Sequence, residues 1–299
     1  MTDLAQVVVS TATVGSGLAL VALGYTLVFS ATGILNFAHG SLVVAAGYGA
    51  YALTRAGVPV GAAFALAVVA TAVAGVVVEL VAVRPLGRFH AATDVTWVLT
   101  TFAAGLVVVD LVRLGVDAAP HRLPPLVGSV LGWRVARAAG VAVTPADVLI
   151  VVAAVALAVG ADVVQRRTRP GRALRAVAED REAAALVGVD PAAVVRVTFA
   201  LAGALAGVAA VLLAPRLFVR LENGLLLGVQ ALVAAVLGGL GSARGALVGG
   251  YLVALVPAVA RTLTPSAGRF ELVVVLTLFA AVLVVRPTGL FGRRPVEKV

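Results

Sequence analysis

The residues able to do chemistry in this sequence are few and clustered. The largest cluster runs from Arg166 to Arg181, where six arginines are joined by Glu179, Asp180 and, one residue on, Glu182. The second is Asn36-Phe37-Ala38-His39-Gly40-Ser41, preceded by Gly33. Isolated acids complete the set: Glu79 lies about a turn before Arg84, and Asp162 lies four residues before Arg166. A general base at His39 would need a second His or a carboxylate at helical spacing, and none lies within a turn or two, which argues against an intramembrane enzyme. Cysteine is absent, so disulfides and thiolate metal sites are excluded. Lys298, in the C-terminal tail, is the only lysine. A phosphate-binding P-loop needs a lysine directly after its glycine, so the chain has no such ATPase site. An active pump built on it would draw its energy from a partner or from an ion gradient.

The elements that position these residues are hydrophobic. The 299 residues are 62% apolar and 12% charged, with a mean hydropathy of +1.11; soluble domains carry roughly twice that charged share. Several runs reach the roughly 20 residues needed to cross a hydrocarbon core. The fold class is an all-α polytopic membrane protein with eight or nine hydrophobic segments, some of them half-spanning; a membrane barrel would show short alternating strands. The net charge of +9 is no sign of nucleic acid, because the arginines gather in a few loops, as cytoplasmic loops do. No basic region precedes the first apolar run, so a cleaved signal peptide is not expected.

In order, the segments are Leu4 to Phe29, Leu42 to Leu53, Val60 to Val83, Val95 to Val116, Thr144 to Val164, Val194 to Leu213, Leu225 to Leu240, Ala246 to Ala260 and Leu272 to Val285. Leu42 to Leu53 is too short to span alone; it is a half-helix or begins inside the preceding motif. Gly15, Ser16 and Gly17 permit close helix approach. Asp110 and Arg113 share a helix face. Thr144-Pro145-Ala146-Asp147 reads as a helix start. This parity puts the basic segments 84–90, 166–181 and 286–298 on the cytoplasmic side with the C-terminus, and the 117–143 loop outside. Arg88, His90, Arg134, Arg137, Arg293 and Arg294 belong to these loops and tails. An echo between Gly40-Ser41-Leu42-Val43 and Gly245-Ala246-Leu247-Val248, each beside a glycine-rich break, fits either an internal repeat or plain Ala/Gly/Val bias.

Each cluster has two readings. Asn36, His39 and Gly40 form a discontinuous helix lining a translocation path, or a tight turn in which Asn36 caps a helix and His39 faces headgroups; broken backbone at membrane depth is tolerated only against protein or water. Gly238 to Gly245 is a hinge or a turn, with Gly238 and Gly239 allowing close packing. Glu79 reads as a paired helix-end charge rather than a proton carrier, and Asp162 as the i,i+4 partner of Arg166. Gly171 to Pro191 is one cytoplasmic helix from near Gly171 to a cap at Gly188, with Arg175 and Glu179 as an i,i+4 pair. It would lie on anionic headgroups or dock on a protein; mixed charge and small alanines favour docking.

Five motifs occur here in one order: Gly24-Tyr25-Thr26-Leu27-Val28 with Asn36 to Gly40, Gly171 to Pro191, Ala235 to Ser242 with Gly245-Ala246, and Arg286 to Gly292. In this the chain resembles the branched-chain amino-acid ABC transporter permeases, above all the first of the two permease subunits. The resemblance spans essentially the whole chain. It implies one transmembrane permease domain over residues 1–299 of an inner-membrane importer. Its partners would be a second homologous permease, two cytoplasmic ATPases that use ATP and Mg, and an extracytoplasmic substrate-binding protein. No cofactor would be bound by this chain. Residues 166–193 match the coupling loop, with Gly171, Arg175, Ala176, Glu179, Asp180 and Gly188 as its positions. Asn36, His39, Gly40, Gly238 and Gly239 would be pathway positions. Related permeases carry urea or short amides, and an ion-coupled carrier is the reading from another class.

Overall fold

The computed structural model describes residues 2–86, 95–116, 119–126, 136–138, 141–217, 219–263, 270–286 and 288–292; Arg88, His90, Arg134, Arg293, Arg294 and Lys298 lie outside them. The α-helices among these are α1 (Thr2–Thr32), α2 (His39–Arg55), α3 (Val60–Val78), α4 (Thr96–Gly115), α5 (Pro145–Arg167), α6 (Arg169–Glu179), α7 (Arg181–Leu186), α8 (Pro191–Leu213), α9 (Asn223–Gly238), α10 (Ala243–Leu263) and α11 (Glu271–Val285). A π-helical turn, Glu79–Val83, and a 3-10 turn, Arg84–Leu86, extend α3. A short antiparallel pair joins β1 (Ala136–Ala138) to β2 (Val141–Val143). Six helices, α1, α3, α4, α5, α8 and α10, are long and apolar enough to cross a membrane, and α9 and α11 are shorter apolar helices. The short second segment begins inside the glycine-bracketed motif, at His39, and its Leu42, Val44, Tyr48 and Ala50 are buried.

The bundle has two ends. Arg181 Nη2 donates to Ala31 O (3.5 Å), and the amides of Leu290 and Phe291 donate to Leu237 O and Gly238 O (2.8 and 2.9 Å). These contacts put the C-termini of α1 and α9, the arginine-rich α6–α7 and the segment after α11 at one end. At the opposite end Thr13 of α1, Asp147 of α5 and Arg216 after α8 meet, and His121 and Val219 form an isolated antiparallel bridge.

The helices pack as two interlocked sets of four. Helix α1 lies on α9 and α10 while α8 lies on α2 and α3; α2 meets α3 and α4, as α9 meets α10 and α11. The sets thus correspond as α1 to α8, α2 to α9, α3 to α10 and α4 to α11. Because α1 ends at the arginine-rich end where α8 begins, the second set runs upside down relative to the first. The Gly40/Gly245 echo would pair α2 with α10 and is not this correspondence.

Small residues set these contacts. A Cβ on Gly250 would stand 2.7 Å from Ala19 Cα, and one on Gly15 3.0 Å from Tyr251 Cα, with Ser16 Oγ hydrogen-bonded to Tyr251 Oη at 2.8 Å. In the equivalent α3–α8 contact, Gly75 faces Phe199 O and Gly203 faces Thr71 O with no room for a side chain. Apolar side chains gain nothing by leaving lipid for each other, so close backbone approach and hydrogen bonds must hold such helices.

Three carboxylates supply polar clips. Asp147 is 3% exposed; it completes a capping box with Thr144 and accepts from Thr13 Oγ1 (3.1 Å) and Arg216 Nε (2.6 Å). Asp162 holds Arg166 of its own helix (2.9 Å), at the i,i+4 spacing expected, and Arg244 of α10 (3.0 Å). Glu271 pairs with Arg261 (3.5 Å) and accepts from Gln230 Nε2 (3.2 Å). Asp110 and Arg113 also pair, at 3.4 Å on the exposed face of α4. Glu79 differs from expectation: it is 3% exposed, forms no ion pair among the described residues, and its Oε2 lacks a hydrogen-bond partner. Glu79 continues the buried stripe of α3, four residues after Gly75, and the π-helical turn that starts at Glu79 packs against α8.

Removing one member of a buried pair leaves the other uncompensated. Asp147→Ala is expected to lower stability by about 3 kcal/mol, read as a lower Tm of the purified protein in detergent. Asp147→Ala with Arg216→Ala should cost less than the sum of the single changes.

Candidate functional site

The glycine-bracketed motif is a capped break between α1 and α2. Gly33 takes φ +71°, Asn36 Oδ1 accepts from the Ala38 amide (3.1 Å), and the His39 amide donates to Asn36 O (3.1 Å). Asn36, 1% exposed, thus closes the turn before α2 with its side chain, while the helix's own N-cap position, Ala38, carries no side-chain cap. His39 does not face headgroups. It is fully buried, seated over Gly24, where a Cβ would strike the imidazole, and edge-on to the Tyr25 ring at 4.8 Å. Its Nε2 lies 3.2 Å from Val21 O; a carbonyl only accepts, so Nε2 carries the proton and Nδ1 is left as an acceptor with no donor. Gly40 sits where α2 crosses α9: a Cβ there would strike Gly224 O and stand 2.8 Å from Gly228 Cα. The motif thus binds α1, α2 and α9 at one buried crossing.

The second break lies beside the end of α1. Gly239 (φ +99°) and Gly241 (φ +87°) turn the chain from α9 into α10, and Ser242 Oγ accepts from the Gly245 amide (3.1 Å). Gly238 and Gly245 face each other across the turn without space for side chains, and Gly239 is packed against the backbone of Phe291 and Gly292. A Cβ at Gly241 would stand 3.5 Å from Ser30 Oγ at the end of α1. The turn reading of Gly241 to Gly245 and the close packing of Gly238 and Gly239 both hold.

Over these breaks lies the arginine-rich segment, as two helices rather than one. Thr168 caps α6 through the Gly171 amide (3.3 Å), and Gly171 is pressed on Val164 O and Gln165 of α5, so only glycine fits that corner. Asp180, extended at φ −157°, breaks the helix: its Oδ1 accepts from the amides of Glu182 and Ala183 (2.9 and 3.0 Å) and starts α7. Gly188 follows α7 in the left-handed conformation (φ +84°), with Val189 donating to Ala184 O, as the sequence suggests. Arg175 and Glu179 are both exposed and form no ion pair with each other. Water screens such a pair, and fixing two long side chains offsets the gain. Ala176 is half-buried. Cavities of about 570 and 400 Å³ adjoin the segment: Arg175 and Ala178 wall the first together with Asp162 and Phe291, and Glu179, Asp180 and Arg181 wall the second with Thr32 and Gly33.

Two further residues of this segment stand out only in the structure. Leu186 and Val187, at the tip of the segment, are 89% and 76% exposed. They are apolar side chains on the most charged stretch of the chain, and the signal that would reveal them is that contradiction.

Among the described residues, nine apolar helices with inverted halves and an exposed charged segment at one end make an all-α polytopic membrane protein. The chain belongs to the family described as branched-chain amino acid transport system / permease component, whose model matches residues 7–283. It is 34% identical over 304 residues to the high-affinity branched-chain amino acid transport system permease protein BraD of Pseudomonas aeruginosa, covering 98% of this chain and 97% of that one. It is 33% identical to LivH of Escherichia coli K12, a permease of the same description (96% and 95% covered). It is 29% identical to a probable branched-chain amino acid transport permease, LivH of Methanocaldococcus jannaschii (92% and 88% covered). No solved structure matches.

The buried crossing gives an internally controlled test. A Cβ at Gly40 meets backbone, whereas one at Gly49, farther along the same helix, meets open space. Gly40→Val should abolish the yield of monodisperse protein, and Gly49→Val should leave it unchanged, measured by size-exclusion chromatography after membrane extraction.

Proposed function

We propose that this chain is the membrane-spanning subunit of an ATP-driven importer of branched-chain amino acids, working by alternating access. The observation that carries the reading is the α6–α7 segment: an exposed, mixed-charge helical pair that bears Leu186 and Val187 outward. Its inner side is tied to α1 through Arg181 and to α5 through Gly171. Residues 166–193 form the cytoplasmic coupling loop of a single permease domain, and the 117–143 loop lies outside. Two ATPase subunits, which supply the ATP and Mg chemistry that a chain without a P-loop lacks, seat this segment. A second homologous permease and an extracytoplasmic binding protein complete the assembly in the inner membrane. Leu186 and Val187 anchor the ATPase contact, while Arg175 and Glu179, unpaired with each other, are available to charges across it. Asn36, His39, Gly40, Gly238 and Gly239 form the paired junctions beneath, through which displacement of the segment reaches the pathway. The names of the relatives favour leucine, isoleucine and valine over urea or short amides.

In the complex assembled in liposomes, Leu186→Asp or Val187→Asp should reduce substrate-stimulated ATP hydrolysis at least tenfold, with membrane insertion intact. Reversing charge at Arg175 or Glu179 should abolish the stimulation; full stimulated hydrolysis with both reversed would refute the docking role. Gradient-driven uptake by the purified chain alone would replace this reading with an ion-coupled carrier.

A further inference from the structure

A third cavity, separate from the breaks, opens between α5 and α8. It encloses about 580 Å³, within the roughly 300–1,000 Å³ typical of ligand sites. Its walls are apolar: Leu157 and Val164 of α5 and Val197 and Leu201 of α8 line it, and all four are exposed along the lipid-facing side. At the arginine-rich end the groove is closed by α6, through Pro170, Gly171 and Leu174.

Two observations indicate what fills it. Arg167, Arg169 and Arg172 interleave with these closing residues, are exposed, and form no ion pair among the described residues. Their neighbours Arg166 and Arg196 differ, being engaged by Asp162 at 2.9 Å and Asp190 at 3.9 Å. The second is Gln165, which lines the same groove and whose Nε2, a buried donor, has no acceptor among the described residues. A buried amide donor without a partner is costly, and three uncompensated guanidiniums favour an anion.

We propose that this groove is a site for an anionic glycerophospholipid. One acyl chain lies along α5 and α8, the phosphate sits among Arg167, Arg169 and Arg172, and an ester or phosphate oxygen accepts from Gln165 Nε2. The occupant has to be both amphiphilic and anionic, because Arg167, Arg169 and Arg172 alternate along the chain with Pro170, Gly171 and Leu174, which close the apolar wall. Free phosphate would leave the wall unfilled, and a neutral lipid would leave the arginines uncompensated. The inference does not depend on which solute is carried.

Gly160 offers a clean block, since it lines the groove and a Cβ there meets nothing within 4 Å. The full-length protein would be purified from nanodiscs of phosphatidylcholine and phosphatidylglycerol and its retained lipid measured by native mass spectrometry. Wild type should retain phosphatidylglycerol preferentially. The triple change Arg167→Gln, Arg169→Gln, Arg172→Gln should reduce that preference roughly tenfold or more. Gly160→Leu should abolish retention with every arginine in place, so a folding defect in the triple variant leaves the idea testable. Equal retention by all three proteins overturns the site. So does a disulfide between Gly160→Cys, the sole cysteine of the chain, and a cysteine on a second permease in the assembled complex, because the groove would then be a subunit interface.

Discussion

In hydrocarbon, apolar side chains are no better off against each other than against lipid, and this constraint governs the bundle. Helices that cannot be pushed together by water must be drawn together by backbone proximity and polar bonds. Helix α1 shows the result. From Leu18 to Val28 it is almost entirely buried, and its neighbours reach it over Gly15, Gly17, Gly24 and Gly250. The same need explains why the few carboxylates of the spans are placed where helices from distant parts of the sequence meet. Asp147 joins α1, α5 and the end of α8, and Glu271 joins α9, α10 and α11.

Broken helices within such a bundle must satisfy their freed backbone locally. Here the chain does so with its own segments. Asn36 serves the start of α2, Ser242 the start of α10, and the amides of Leu290 and Phe291 the last carbonyls of α9. The ends of α1 and α9, the residues after α11 and the arginine-rich segment meet at one end of the molecule, whereas Gly40 lies deeper, on Gly224 and Gly228 near the start of α9.

Much of this was legible from residue types alone. Apolar runs located the helices, Thr144 to Asp147 marked the start of α5, and charge patterning isolated the 166–193 segment. The break at Asp180 was not legible, because Arg-Ala-Val-Ala-Glu-Asp-Arg-Glu reads as unbroken helix until the Asp180 side chain is seen capping α7. The burial of His39 was also hidden: it depends on Gly24, fifteen residues earlier, leaving room for an imidazole. Glu79 lies on the buried face that Thr71 and Gly75 define at i,i+4 spacing, a face that is hard to see in a helix apolar all round. Side-chain pairs such as Arg175 and Glu179 satisfy a spacing rule, but in water spacing alone does not hold them together.

The inverted pairing of the two halves carries a consequence for how such a chain can be descended from a shorter one. An odd helix, α5, separates the sets and turns the second upside down. Loops that correspond between the halves therefore lie at opposite ends of the molecule. The turn after α1 corresponds to the one after α8, and the basic extension of α3 to the end of α10. A charge rule that favours arginine at one end only must then erase any resemblance between those loops. What ancestry can leave behind is confined to the spans, as a spacing of glycines and alanines, and in an alanine-rich chain that trace looks like composition.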